Sequence, residues 1–310
     1  MIVTVTANTT LDHTVVIPTL DKGRTIRAVQ STFSMGGKPA DASFILGALG
    51  IPSLALGFAA GVIGQKVEGL LQARGVSTDF IQVGGETRIN TIIVAQDGGE
   101  QTTITTSTLD VSPEHLDELR AKYTAALDVA RCVVLGGTLP ANLSPDFYTE
   151  FIGLARKRNI PVVFDAADAN LRAGLKAAPS FIKPNRAELT ALVEHPITSM
   201  EEAYQAGRVL LAQYGTASMM SFGEEGALAV LHDCAYRIPA IPVWVVSAAG
   251  AGDALLAGLA AALSRREPIE NGLRLGVAAA TAVCLTLGTA DCRREDVERF
   301  LPQVELIPYP

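Results

Sequence analysis

Cysteine is scarce and poorly placed for any framework. The four in 310 residues, Cys132, Cys234, Cys284 and Cys292, show neither metal-ligand spacing nor the density of a disulfide scaffold. Reduced thiols in a cytoplasmic protein are therefore expected. Positive charge is also short: 25 Lys and Arg face 32 Asp and Glu, for a formal net charge of -7. Repulsion then disfavours nucleic acid and anionic membranes as partners. No apolar run reaches spanning length; Val277–Leu287 is short, alanine-rich and preceded by Arg274. The opening MIVTVTANTTLDHTVVIP lacks a basic segment ahead of a long apolar stretch, so no signal peptide is expected. No repeat, low-complexity tract or long Pro/Gly/Ser linker divides the chain, which is read as one domain over residues 1–310. With 48% hydrophobic and 18% charged residues it can bury a large core.

What is present is alternation. Ile2–Thr6, Leu54–Leu56, Val133–Leu135, Pro161–Phe164, Phe181–Ile182 and Ser218–Ser221 read as strands. Asp41–Leu49, Lys66–Arg74, Pro145–Lys157, Arg186–Val193, Met200–Tyr214 and Asp253–Leu263 read as helices between or after them. The pattern predicts an α/β fold, a doubly wound and mostly parallel sheet with helices on both faces. Residues 13–33 and 86–106 break the rhythm with period-two runs of Thr, Val and Ile, the second holding the hairpin signal Asp97-Gly98-Gly99. They are expected to form antiparallel pairs, either a small β lid over the carboxyl ends of the parallel strands or a plain extension of the sheet.

The segment WVVSAAGAGDALLAGLAAAL, Trp244–Leu263, carries the sharpest chemistry. A strand-like run meets Gly250-Ala251-Gly252 and turns at once into a helix of small residues. The first amides of a helix point outward unpaired and form an anion site. Asp253 in that first turn suits a base that takes a hydroxyl proton while a phosphoryl group is neutralised beside it. The plain alternative is a helix start with an N-terminal acid. The segment is no dinucleotide fingerprint, for want of a third glycine, and the chain has no phosphate loop ending in Gly-Lys-Ser/Thr.

Lys183-Pro184-Asn185-Arg186-Ala187-Glu188 opens another helix, with Asn185 and Glu188 on one face of its first turn. They can hold waters of a Mg²⁺ ion that bridges phosphates, or form a capping box, and the two roles are compatible. The glycine-bearing turn Ser221–Gly226 follows a strand where it can meet a nucleotide phosphate. Near the N-terminus, Asp12 can grip sugar hydroxyls, Gly36-Gly37 admits a ligand closely, and Lys38 and Arg88 offer cations. Taken singly, such residues are more often solvated surface charges.

Together, in order, Asp12, Gly36-Gly37-Lys38, Thr87-Arg88-Ile89-Asn90, Gly136–Pro140, Lys183–Glu188, Ser221–Gly226 and Gly250–Asp253 resemble the ribokinase-like (PfkB) carbohydrate kinase family over essentially the whole chain. The resemblance implies a ribokinase-like fold with a β lid, and ATP-dependent phosphorylation of a sugar or sugar phosphate. It implies Asp253 as the base and the amides of Gly250, Ala251 and Gly252 as the anion hole. Asn185 and Glu188 would serve Mg-ATP, holding Mg²⁺ through water, and Ser221, Gly223 and Gly226 would line the nucleotide phosphates. Val277 would wall the adenine. Asp12, Gly36, Gly37, Lys38, Asp41, Arg88 and Asn90 would line the acceptor site. Gly-Gly-Lys and Thr-Arg-Ile-Asn look most like the 1-phosphofructokinase and tagatose-6-phosphate kinase branch, in which Lys38 and Arg88 would meet an existing phosphate. Exposed lid strands leave room for a homodimer.

The chain departs from that branch at Gly36-Gly37-Lys38-Pro39-Ala40-Asp41, where the usual pattern is Gly-Gly-Lys-Gly-x-Asn, and at Ala248. Proline removes an amide, and Asp41 adds a carboxylate that can neutralise Lys38. A kinase for an uncharged sugar or nucleoside is therefore the alternative, and a non-catalytic sugar-phosphate binder the next.

Overall fold

A computed structural model of the chain describes residues 1–97 and 101–310. In chain order the first strands are β1 (Ile2–Thr6), β2 (Thr10–Ile17), β3 (Gln30–Gly36), β4 (Ser53–Ala59), β5 (Ser77–Gln82), β6 (Gly84–Gly85), β7 (Arg88–Ala95) and β8 (Gln101–Ile104). Then follow β9 (Leu109–Asp110), β10 (Cys132–Gly136), β11 (Val162–Asp165), β12 (Phe181–Ile182), β13 (Ala217–Ser221), β14 (Ala227–Val230), β15 (Ala235–Ile238) and β16 (Ile307–Pro308). The helices are α1 (Lys38–Ala48), α2 (Gly61–Ala73), α3 (Pro113–Ala126), α4 (Asp146–Arg156) and α5 (Asp168–Lys176). The remainder are α6 (Arg186–Val193), α7 (Met200–Tyr214), α8 (Ala251–Arg265), α9 (Ile269–Val283) and α10 (Arg294–Phe300).

The larger sheet runs β16-β15-β14-β13-β12-β11-β10-β1-β4-β5. Its neighbours pair in parallel from β5 to β13 and antiparallel beyond. Side chains alternate across it, as the pleat requires. Val133 and Leu135 pack with Phe147 and Phe151 of α4, whereas Val134 and Val163 pack on the other face with Leu256 of α8 and Ile45 of α1. Both faces are covered, so the fold is the expected doubly wound α/β. The strand order reverses around β1, which has β4 on one side and β10 on the other, both parallel to it. The loops at the carboxyl ends of β1, β10, β11, β12 and β13 therefore open onto one crevice.

A second sheet of order β3-β2-β7-β8 stands apart from the first. Strand β2 pairs antiparallel with β3 and parallel with β7, in a register that sets Thr10 opposite Arg88 and Asp12 opposite Asn90. A third core of Leu11, Met35, Phe44 and Val67 ties this sheet to α1 and α2. The hairpin glycines Gly98 and Gly99 lie outside the described residues.

The strand-like run Trp244–Val246 forms no strand. Pro239 and Pro242 remove backbone donors just before it, and Trp244 is 88% exposed. No helix among the described residues is long and apolar enough to cross a membrane.

Candidate active site

The turn before α8 is built by a close approach. Gly250 adopts φ 83°, and a Cβ there would overlap Ala290 of the loop after α9, so only glycine fits. Ala251 N–H turns back to Ala248 O at 3.2 Å, and Asp253 N–H donates to Gly250 O at 3.0 Å. Of the three amides expected to face an anion, Ala251 is thus already used; a tight turn at the helix start claims it. Among the described residues the amides of Gly250 and Gly252 donate to no backbone acceptor. Asp253 follows them, buried in the first turn of α8. Burial, and then the charge of Asp165, push its carboxyl up to about 7, against the pull of Lys38 and Lys183.

Asp165, at the end of β11, is the hub of the charges around that turn. Lys38 Nζ lies 2.8 Å from its Oδ1 and Lys183 Nζ 3.0 Å from its Oδ2. Burial alone would raise its pKa, yet the two ammonium groups hold it below the ordinary carboxylate range. Lys38 also reaches Glu188 Oε1 at 3.1 Å. Burial would lower the Lys38 pKa, but Asp165, Glu188 and Asp253 together keep it above its usual value. A Cβ on Gly252 would lie 3.2 Å from Lys183 Nζ, so that ammonium sits close to the Gly252 backbone. The adjoining strand end accommodates Asp165 through Gly136, where any Cβ would overlap Asp165 O. Neither Asp165 nor Lys183 was assigned a role from the sequence. A carboxylate ending a parallel strand, and a lysine opening the Lys183–Glu188 motif, were the available signals.

The side bordered by β2 and β7 is different. Asp12, on β2, takes Asn90 Nδ2 at 3.0 Å and Thr289 Oγ1 at 2.8 Å. Its carboxyl is pushed up to about 6 by burial, opposed by the Thr289 and Asn90 hydrogen bonds and by Arg88. Arg88 donates to Thr10 Oγ1 (2.7 Å), Thr106 O (3.0 Å) and Thr138 Oγ1 (3.1 Å). It makes no ion pair within 4.0 Å among the described residues. Lys38, expected to share an anion with Arg88, is itself paired with Asp165 and Glu188. Gly36 ends β3 and Gly37 caps α1 without a side-chain bond, and Pro39 sits in the first turn, where its missing N–H costs no helix bond.

Asp41, also in that first turn, is 3% exposed, and its Oδ1 has no partner. It does not neutralise Lys38. Burial, then Asp253 and Asp12, raise its pKa well above the ordinary value. The buried oxygens Asn8 Oδ1 and Asn90 Oδ1 likewise lack a donor.

At the start of α6, Asn185 and Glu188 form a reciprocal capping box: Glu188 N–H donates to Asn185 Oδ1 at 2.8 Å and Asn185 N–H to Glu188 Oε2 at 2.9 Å. The turn after β13 is drawn against this helix start, with Ser221 N–H donating to Pro184 O at 3.2 Å. Gly223 begins that turn facing open space, and Gly226 closes it against Ile238 and Ala240. Val277 is buried in the core between α8 and α9. Among the described residues no cluster of three or more His, Cys, Asp or Glu side chains is arranged to hold a metal. The Glu188 oxygens keep second lone pairs for water, so this donor set suits a hydrated ion.

Residues 4–296 match the model of the pfkB family carbohydrate kinases. The 1-phosphofructokinase of Bacillus subtilis is 32% identical over 308 residues, covering 99% of this chain and 99% of that protein. That of Borreliella burgdorferi is 31% identical over 307 residues, covering 99% and 98%. The crystal structure of phosphofructokinase-2 from Escherichia coli in complex with substrates and products superposes with a TM-score of 0.90 at 25% identity, covering 97% of this chain and 98% of that one.

Proposed function

The chain belongs to the pfkB family of carbohydrate kinases, and from that premise we propose that its acceptor is a ketohexose monophosphate, as in the 1-phosphofructokinases it resembles. The family makes it an ATP-dependent sugar kinase; the residue roles that follow are our reading.

Arg88 carries the assignment of a phosphate to the acceptor. A half-buried guanidinium with no carboxylate in direct contact among the described residues is costly to bury, the more distant charge of Asp12 offsetting only part of this, unless an anion joins it. With three of its five N–H groups engaged, two remain for phosphate oxygens. The uncompensated oxygens of Asn8, Asn90 and Asp41 supply acceptors for sugar hydroxyls. Burial, then Asp253 and Asp12, raise the Asp41 carboxyl well above its ordinary pKa, which lessens its repulsion of a phosphate.

The reaction is a transfer of the γ-phosphoryl group. Asp253, ionised, takes the proton of the acceptor hydroxyl as that oxygen bonds to the γ-phosphorus. The bond from phosphorus to the bridging oxygen breaks, and ADP leaves. The amides of Gly250 and Gly252, with Lys183 close to Gly252, stabilise charge on the transferring group. Ser221, Gly223 and Gly226 line the phosphates that stay with ADP, and Val277 backs the adenine. Asn185 and Glu188 would hold Mg²⁺ through water, and the ion would supply neutralisation of the phosphate charge. Phe33, Ile89 and Ile104 are exposed on the smaller sheet, and we assign that sheet to a homodimer contact. A monomer by sedimentation at every concentration would contradict it.

The test of the substrate is ATP consumption over a panel of free ketoses, ketohexose phosphates and nucleosides. Turnover confined to phosphorylated ketoses is expected. Equal turnover of a free sugar, or preference for a nucleoside, would overturn the reading.

A further inference from the structure

The loop between α9 and α10 touches both halves of the site at once. Thr289, 4% exposed, donates its hydroxyl to Asp12 Oδ2 at 2.8 Å, and its backbone N–H donates to Ser34 Oγ at 2.8 Å. Those two contacts reach β2 and β3 of the smaller sheet. The next residue, Ala290, is fully buried and donates its N–H to Ala249 O at 3.1 Å, directly before the Gly250 turn. Ala290 has φ 54°, a left-handed conformation that is unfavourable for a residue with a Cβ. Such a residue persists only where its neighbours over-determine it.

Here they do. Gly250 packs so closely on Ala290 that neither can shift alone. Further back, Val246 N–H donates to Cys284 O at 2.8 Å, and Thr286 Oγ1 to Asp291 O at 2.8 Å. Arg74, at the end of α2, pairs with Asp291 and donates to Cys292 O at 3.3 Å. The loop is therefore a braced strut, with its acceptor-facing end at Thr289 and its phosphoryl-facing end one residue later.

We propose that Thr289 is a positioning residue that holds Asp12 and the Ala249–Gly250 turn in one register, so that the grip on the acceptor and the shape of the anion hole are set together. This rests on the kinase reading for its kinetic consequences, but the mechanical coupling does not. The Thr289 hydrogen bond also steadies the ionised form of Asp12, whose other charged neighbours are Arg88 on β7, Asp41 on α1 and Asp253 on α8.

The experiment compares Thr289→Val, which keeps the shape and deletes the hydroxyl, with Thr289→Ser, which restores it. In the full chain, Thr289→Val should raise KM for the ketohexose phosphate and lower kcat, each by about tenfold, the scale of one hydrogen bond to a charged group. KM for ATP should stay within about twofold. On the acid limb of kcat/KM, the inflection below that of Asp253 should move to higher pH, because Asp12 loses a donor that favoured its ionised form. Thr289→Ser should recover all three. Hydrogen exchange without substrate provides the independent arm: amides 31–36 and 249–254 should lose protection together in Thr289→Val and regain it in Thr289→Ser. Exchange that rises around residue 289 alone, or kinetics and an acid limb unchanged while only Tm falls, would overturn the proposal. Paired loss of protection in a protein that phosphorylates no sugar phosphate would instead leave the coupling standing and remove the substrate reading.

Discussion

The two sides of the crevice differ in how far their charges are settled before any ligand arrives. On the phosphoryl side, Lys38, Lys183, Asp165 and Glu188 neutralise one another, with Asp165 holding an ammonium on each oxygen. On the proposed acceptor side, among the described residues, Arg88 makes no ion pair within 4.0 Å although Asp12 lies in its field, and Asn8, Asn90 and Asp41 each carry a buried oxygen without a donor. The contrast assigns different tasks. A paired network is rigid and preorganised, which suits stabilisation of a transition state that every turnover must pass. An unsatisfied surface is one whose partners come with the substrate, so it discriminates between substrates that satisfy it and those that do not.

If the division holds, damage to the first side should lower the rate or the stability, and damage to the second should alter substrate choice. The largest effect is expected from Asp253→Asn. Removal of the base should cut kcat by about two to four orders of magnitude, with ATP affinity little changed by calorimetry. In the wild type, kcat/KM should fall as pH drops through about 7, where Asp253 takes up a proton. Turnover of the variant near that of the wild type would remove Asp253 from its role.

Asp165→Asn strikes the same side without touching the reacting hydroxyl. It leaves Lys183, 5% exposed, without its ion-pair partner. Loss of one member of a buried ion pair costs about 3–5 kcal/mol, so denaturant unfolding should show a large drop in stability. An unchanged midpoint would mean the lysines find other partners and the network is not rigid.

On the acceptor side, Arg88→Ala should weaken the sugar phosphate by roughly 2–3 kcal/mol, typical of a charge-assisted contact, with ATP binding nearly intact. A loss shared equally by both substrates would erase the division between the two sides. Asp41→Asn should be milder and sharpen the comparison through its pH dependence. A carboxyl whose folded pKa lies above its unfolded value binds more protons in the native state, so its ionisation erodes stability as pH rises above about 4. The Asn variant escapes this. Its Tm should equal that of the wild type at low pH and exceed it increasingly toward neutrality; a gap that shrinks with pH would show Asp41 ionised and paired. Smallest of all, Glu188→Gln should raise by a few-fold the Mg²⁺ concentration for half-maximal rate. A change in Tm alone would reduce Glu188 to its capping role.

The architecture was legible because period and punctuation agree locally. Arg186–Val193 and Met200–Tyr214 have the ends read from the sequence, each set by a capping box, Asn185 with Glu188 and Ser199 with Glu202. Helix α3 was not read. Only Leu119, Tyr123 and Ala126 of its residues are buried, a stripe too narrow to stand out, although Ser112-Pro113 marks its start. Trp244–Val246 was misread as strand-like because β-branched composition does not report exposure. Of the site, the motifs could be found but not their pairings. Lys38 meets Asp165 across 127 positions, and Thr289 meets Asp12 across 277. Such contacts are products of the topology, and no local pattern encodes them. The same holds for Asp41, whose charge state depends on Asp253 and Asp12 rather than on its own neighbours in sequence.

The central claim is that an anion on the acceptor completes a site whose phosphoryl half is already complete. Its most direct measurement is the ratio of kcat/KM for a ketohexose monophosphate to that for the same free ketohexose, with saturating ATP and Mg²⁺. The unpaired Arg88 predicts a wild-type ratio of about 30 or more, the equivalent of at least 2 kcal/mol. A ratio near one would contradict it.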